Sequence, residues 1–369
     1  MLSVVPFTAE WRAAVREFNR RLTAGGLDPE LRFPEEPKAE FPATAEAPLR
    51  QEFFLAVEEG VVRGAYFLTF EPWSVAGQAC VVANYRLPLS EGLVDPAWRG
   101  VNLVLLRDAL KRSPLLYCLG MGGYDRPLPR SLQALKWPMF TTPFFFHAVR
   151  PVRVLRNLSG LRGSRWRRRL LDLAALSGAG WAGLKLAQSW RRRGGEGAWR
   201  AELAPAFGAW ADALWGELNN TYQALAVRRA EILNLRYPPA DPRFLRLRVD
   251  GPAGPLGWAV LLATQMRGHK HFGNLRVGTL VDGLARPEQA GAVVGAAFEE
   301  LRRREVDLIV TNQTHAAWRR ALRRAGFLEG PSNRIFAASP ALAARLAPWE
   351  TYPDQAHLTR GDGAGPIHL

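Results

Sequence analysis

Cysteine is scarce in this chain: two among 369 residues, Cys80 and Cys118. Two thiols cannot staple a disulfide framework, and no CxxC pair is present for a zinc site. No apolar run reaches the roughly 20 clean residues that a membrane-spanning helix needs. The first residues, MLSVVPFTAEWRAAVREF, hold no basic stretch followed by an apolar one, so no secretory leader is expected and a cytoplasmic location is. A Walker A loop, a dinucleotide-binding glycine fingerprint and a Ser-His-Asp arrangement are also missing, which removes the commonest nucleotide and hydrolase signatures. Acidic residues are in short supply: 34 Asp and Glu face 49 Lys and Arg, for a net charge of +15. The rest is ordinary. With 48% hydrophobic and 22% charged residues, the composition is that of a globular protein, and the length suits two domains.

A charge of +15 points to a polyanionic partner, but its distribution narrows the claim. Between Arg150 and Arg200 stand thirteen Lys and Arg residues against only Asp172 and Glu196, so +11 of the total lies in one segment. Two Arg clusters, Arg165, Arg167, Arg168 and Arg169, then Arg191, Arg192 and Arg193, flank a mostly apolar stretch over 170–188, with Trp166, Trp181 and Trp190 in or beside it. Asp172 is costly at bilayer depth. Three readings stand open: a solvated helix between domains, an interfacial helix with its Arg residues among anionic headgroups, and a nucleic-acid contact. The seven Arg residues are the candidates for membrane or anion contact.

On either side of this segment the same order of elements is expected. In the first half, a helix over 9–24, strands over 52–57, 64–70 and 78–85, a helix over 101–112, a strand over 115–119, a helix over 129–136 and a closing strand over 144–149 follow from apolar spacing and turn residues. In the second half, helices fill 207–235. Strands over 244–249, 257–264 and 275–284, a helix opened by Pro287, a strand over 307–311, a helix over 316–325 stopped by Gly326 and a closing strand over 334–338 complete it. The expected organisation is an N-terminal domain over 1–150, a basic helical linker over 151–203, a C-terminal domain over 204–345 and a tail over 346–369. The class is α/β in the α+β sense, two tandem mixed-sheet domains from one repeated unit.

This order, ending in a helix and Gly-Phe such as AWRRALRRAGF (residues 317–327), resembles the GNAT N-acetyltransferase superfamily. VDPAWRG (residues 94–100) is similar to the strand-to-helix entry where that family binds acetyl-CoA. The pairing of two halves resembles tandem GNAT/Fem-like proteins. ANYRLPLSEG (83–92), LLYCLGMGG (115–123) and HLTRGDG (357–363) look like a branch found with bacterial envelope polysaccharide genes. The resemblance implies an acetyl-CoA or other acyl-CoA donor and no metal. It places the donor at the helix entry, where unpaired N–H groups bind a pyrophosphate. The family pattern Arg/Gln-x-x-Gly-x-Gly/Ala reads here Arg99-Gly100-Val101-Asn102-Leu103-Val104, with Asn102 and Val104 in place of glycines, and the second half has Arg286 and Gln289 but no motif. The family's usual acid, a Tyr on the last helix, falls on Leu132 and Leu322, and its helix-opening Asn on Asp125 and His315, with Asn312 close by.

The cofactor-binding candidates are therefore Arg99, Gly100, Asn102, Arg286, Gln289 and Asn312, with Gly120, Gly122 and Gly123 as a loop able to cradle an anion through backbone N–H groups. The catalytic candidates are Glu91 as a general base, Asp282 as a carboxylate inside an apolar strand that must be paired or functional, and Tyr85 as an orienting or packing group. His269 and His271 form an HxH pair without a third ligand at fitting spacing. The expected function is acyl-CoA-dependent N-acyl transfer to a small-molecule or glycan-precursor acceptor, such as an amino sugar, at the inner face of the membrane. Two alternatives stay open: a Fem-like transferase using aminoacyl-tRNA, the one nucleic-acid partner considered, and a degenerate tandem protein serving as a scaffold or membrane-docked accessory.

Overall fold

In a computed structural model, residues 1–36, 41, 47–157 and 198–363 are described. The seven linker Arg residues lie outside them. The chain forms two units: residues 1–141 with 333–350, and residues 142–332 with 351–369.

In the first unit the strands are β1 (Ser3–Pro6), β2 (Arg50–Glu58), β3 (Val61–Val75), β4 (Gln78–Ser90), β5 (Leu116–Gly120) and β6 (Met139–Thr141). The second unit adds β7 (Phe144–Ala148), β8 (Arg200–Leu203), β9 (Ala224–Ala226), β10 (Leu245–Gly251), β11 (Gly254–Gln265), β12 (Arg276–Ala285), β13 (Leu308–Asn312) and β14 (Leu328–Gly330). β15 (Ile335–Ala338) returns to the first unit. The sheets run β1-β2-β3-β4-β5-β15-β6 and β8-β10-β11-β12-β13-β7-β14. They share one order, and in each the sixth strand comes from the far side of the chain.

That exchange differs from the expected order. The strand at 144–148 does not close the first half; it pairs with β13 and β14 in the second sheet. The strand at 335–338 does not close the second half; it lies between β5 and β6 in the first. Both segments are apolar and buried, and apolar patterning states that a strand is covered without saying by which sheet.

The first sheet is covered on both faces. Phe54, Tyr66, Leu68 and Ala83 pack against Val101, Leu105 and Ala109 of α2, after α1 (Arg12–Ala24) and before α3 (Pro127–Ala134), α2 being Val101–Arg112. The alternate residues Leu55, Val57, Ala65 and Phe67 pack against Val15, Phe18 and Leu22 of α1, as period-2 alternation requires. In the second unit α4 (Pro151–Asn157), α5 (Ala209–Leu218), α6 (Ala230–Arg236), α7 (Ala290–Arg303) and α8 (Ala316–Arg324) surround the sheet. α9 (Pro340–Arg345) belongs to the first unit and α10 (Tyr352–Gln355) to the second. Helix α7 lays Val293, Ala297 and Leu301 on Trp258, Leu261 and Leu284.

Both sheets carry a bulge in the same place. Ala65 pairs with Leu89 and Phe67 with Arg86, so β4 holds one extra residue, with Leu87 at φ 47°. Val260 pairs with Asp282 and Leu261 with Leu280, so Val281 is extra in β12. A bulge bends and twists its strand. Beyond it the next, parallel strand is no longer followed.

The buried Ser339 hydroxyl binds the exchanged β15 to β5: it donates to Pro114 O (2.6 Å) and accepts from Leu116 N (3.1 Å) and Leu342 N (3.3 Å). Ser339→Ala is expected to lower stability by about 1–3 kcal/mol, because three backbone groups of the first unit lose a partner. Urea unfolding followed by tryptophan fluorescence checks this.

Candidate functional site

In the first unit β4 and β5 pair in parallel at Ala83 with Leu116 and Asn84 with Tyr117, and then part. Asn84 is 2% exposed, and its Oδ1 has no hydrogen-bond partner among the described residues. Past the bulge, 3-10 turns at Glu91–Leu93 and Pro96–Trp98 lead into α2. Asp95 fixes the second turn by accepting from Ala97 N (2.9 Å). Among the described residues no side chain caps α2, and a Cβ placed on Gly100 would meet nothing within 4 Å, so the helix end opens onto space. Arg99 and Gly100 are exposed there and Asn102 is half-buried one turn in. At the far end of β5, Gly120, Met121, Gly122 and Gly123 all have positive φ, a run that only a glycine-rich loop adopts readily. The sequence-derived residues Arg99, Gly100 and Asn102 thus share one helix entry, and Gly120, Gly122 and Gly123 follow the other parted strand.

The expected catalytic groups of this unit have partners. Glu91 is buried, with one oxygen accepting from Arg21 Nε and the other from Arg63 Nη1 (2.7 Å). Arg63 lies 3.8 Å over the Trp98 ring. As a base, Glu91 would have to give up a guanidinium; in place it joins α1, β3 and the approach to α2. Tyr85 packs in the core 5.2 Å from the Tyr66 ring, and burial pushes its phenol well up. Leu132 is buried. Sequence reasoning passed over Glu71, a buried carboxylate on β3 that accepts from the Tyr117 hydroxyl. The pair spans β4, so only the two registers of β3 with β4 and of β4 with β5 bring it together.

The second unit repeats the parting. β12 and β13 pair at Val277 with Leu308, Gly278 with Ile309 and Thr279 with Val310, and then diverge. Here the chain itself enters the opening. The segment 356–362 bonds to both strands or their extensions. Gly361 N donates to Val281 O (2.8 Å), while Thr314 N donates to Leu358 O (3.1 Å) and Gln313 bridges Thr359. The Thr311 hydroxyl takes Leu280 O (2.8 Å), and His357 Nε2 donates to Gly283 O (2.7 Å).

Asp282 anchors this segment. It accepts from Arg228 Nε and Nη2 (3.1 Å each), the Tyr237 hydroxyl (3.0 Å), the Thr359 hydroxyl (3.0 Å) and Gly283 N (2.8 Å). Arg228 also binds Asp362 (3.1 Å) and is 1% exposed. Burial disfavours its charge, but Asp282 and Asp362 outweigh that and hold it protonated. Burial also works against charge on Asp362, and Arg228 and Arg236 overcome it, keeping the carboxyl below its ordinary value. Of the two sequence options for Asp282, paired or functional, the geometry shows the paired state. The Arg228 and Asp362 ends of the network, 134 residues apart, left no local signal.

Other candidates of this unit are engaged as well. Arg286 binds Glu217, with Gln289 Oε1 at 3.5 Å. Asn312 donates to Pro143 O (3.1 Å) and accepts from Arg360 (3.0 Å). His269 Nδ1 accepts from the backbone N–H groups of His271 and Phe272 (3.2 Å each), a local turn. His315 caps α8 by accepting from Ala317 N (3.3 Å), and Leu322 is buried. His357 lies between the rings of Tyr222 and Trp318, at 4.7 and 5.0 Å.

No protein-family model matches the chain, and no curated protein matches it in sequence. Solved structures do. It is similar to a GCN5-related N-acetyltransferase from Anabaena variabilis (TM-score 0.52, 9% identity, covering 91% of this chain and 72% of that one). It is also similar to Saccharomyces cerevisiae N-myristoyltransferase with bound myristoyl-CoA (TM-score 0.51, 9% identity, 91% and 78%). A tandem GNAT protein from the clavulanic acid biosynthesis pathway aligns over 92% of this chain and 98% of its own at 12% identity and a TM-score of 0.49. The chain has the GNAT fold, with two mixed α/β sheets.

Arg228→Met is expected to cost about 3–5 kcal/mol, because Asp282 and Asp362 would stay buried without their cation; thermal or urea unfolding measures it. Burial, with Arg320 and Arg319 nearby, lowers the His315 pKa to about 4, and burial lowers that of His357 well below its ordinary value. Both are neutral when folded, whereas the unfolded chain takes up protons below about pH 6.5. Stability should therefore be full above pH 6.5 and fall as pH drops toward 4. His315→Asn keeps a capping acceptor and should flatten that fall, as urea midpoints at pH 7, 6 and 5 would show.

Proposed function

We propose that the protein is an acyl-CoA-dependent N-acyltransferase whose donor site is the parted β4/β5 pair of the first unit. The observation that carries this reading is the parting itself. It ends beside an uncapped helix N-terminus, with Arg99 and Gly100 exposed at the entry. The helix end and Arg99 suit a pyrophosphate, which helix N–H groups and a guanidinium recognise together. The strand edges suit the amides of a pantetheine arm, which bond to backbone as an added strand would. A solved structure of similar fold holds myristoyl-CoA, which supports an acyl-CoA donor.

The reaction is attack of an acceptor amine on the thioester carbonyl carbon. A C–N bond forms, the C–S bond breaks, and the amine proton leaves as the thiolate is protonated. In this reading, backbone N–H groups of β4 beyond Asn84 stabilise charge developing on the carbonyl oxygen, and positioning supplies much of the rest. The acceptor in this reading bears a primary amine, with an amino sugar or another envelope precursor as the finer proposal. No helix among the described residues is long and apolar enough to cross a membrane. Contact with an anionic membrane surface through the Arg-rich segment belongs to the same proposal.

Arg99→Glu and Gly100→Asp each place negative charge or bulk at the helix entry. Each is expected to weaken acetyl-CoA binding tenfold or more in isothermal titration while leaving the unfolding midpoint within about 0.5 kcal/mol of the parent, as exposed substitutions do. Unchanged affinity in both would remove the donor site from this helix.

A further inference from the structure

We infer that the parted strands of the second unit form a peptide-binding groove whose ligand is the chain's own segment 356–362. One chain therefore holds one acyl-CoA. The inference rests on the donor-site reading only for that stoichiometry; the groove stands on its own bonds.

Parted parallel strands expose N–H and C=O groups that must find partners, because leaving them dry is costly. In the second unit the partners are internal. The carbonyls of Leu280, Val281 and Gly283 on β12 are taken by Thr311, Gly361 and His357. Across the opening, Thr314 exchanges bonds with Leu358, donating its N–H to Leu358 O and accepting Leu358 N on its hydroxyl (2.9 Å). An extended amide ligand would find these acceptors of β12 already occupied.

The groove also selects what fills it. Arg228 receives Asp362, Asp282 receives the Thr359 hydroxyl, and Asn312 receives Arg360, so acidic, hydroxyl and basic side chains each have a complementary receptor. Between them only glycine fits at 361: a Cβ there would lie 2.2 Å from the Tyr237 hydroxyl oxygen and 3.2 Å from Asp282 Cβ. His357, Leu358, Thr359 and Asp362 are all 0% exposed, which makes this a seated ligand.

Hydrogen exchange with mass spectrometry on the full chain tests the groove directly. In the wild type, the amides of residues 357–361 should exchange as slowly as those of β12. Gly361→Ala should speed exchange over 356–363 by at least tenfold, and adding Tyr237→Phe, which removes the colliding oxygen, should restore part of the protection. Fast exchange over 356–362 in the wild type, or no effect of Gly361→Ala, overturns the groove. Should Gly361→Ala fail to fold, Thr359→Val, which removes the hydroxyl's bonds to Asp282, Asp362 and Gly361 N, serves with the same expectation. Acetyl-CoA supplies the second arm: protection should rise over 84–91 and 99–104, stay unchanged over 279–284 and 310–314, and titrate to one per chain. Protection in the second unit, or two per chain, overturns the single-site claim. No response to acetyl-CoA anywhere defeats the donor reading and, with it, the stoichiometry, while the wild-type exchange over 356–362 still decides the groove.

Discussion

Two parallel strands that part inside a sheet leave backbone groups facing a gap, and those groups have to be satisfied by something other than a strand. The central feature of this protein follows from that constraint, met twice. A bulge in β4 and a bulge in β12, at matching places, bend each strand off its parallel neighbour. In the first unit the gap ends beside an open helix N-terminus and a glycine-rich loop. In the second it is closed by the chain's own residues, bonded to both sides. One fold, repeated, thus has two different surroundings at equivalent positions.

The second gap is closed by a buried ion-pair network. Arg228 sits between Asp282 on β12 and Asp362 on the returning segment, with Arg236 3.6 Å from Asp362. Two cations and two carboxylates balance, so the network is neutral as a whole although Arg228, Asp282 and Asp362 are buried. Such groups add little net stability over an apolar replacement but penalise misplacement heavily, because any one of them left alone is costly. The path of the chain gives that penalty something to act on. After β14 the chain leaves the second unit, supplies β15 to the first sheet and then returns as α10 and the segment 356–362. A segment that arrives last and from elsewhere needs strong, specific receptors to find its register.

Periodicity and turn residues made most of the elements legible. The helical spacing of Trp11, Val15 and Phe18 marked the first helix, and the strand ranges placed Phe54, Leu55, Tyr66 and Phe67, whose alternation fills the two faces of the first sheet. The repeat was visible as well, since both halves use the same order. The exchange of β7 and β15 was not, because Phe145 and Phe336 are equally at home in any apolar layer. At the sites, a carboxylate within an apolar strand marked Asp282 as either paired or functional, while the identity of its partner Arg228 depended on three-dimensional closure over 54 residues. Glu91 looked like a loop acid open to an acceptor, but Arg21 and Arg63, distant in sequence, converge on it. The string HLTRGDG carried only a family resemblance, and its place between two strands required the strand registers around it.

A crystal structure of the full chain grown with a non-reactive acetyl-CoA analogue tests the central claim most directly. The account expects ligand density along β4 and β5 with its phosphates at Arg99 and Gly100, and residues 356–362 in place between β12 and β13. Ligand density between β12 and β13, with the segment displaced, would contradict it.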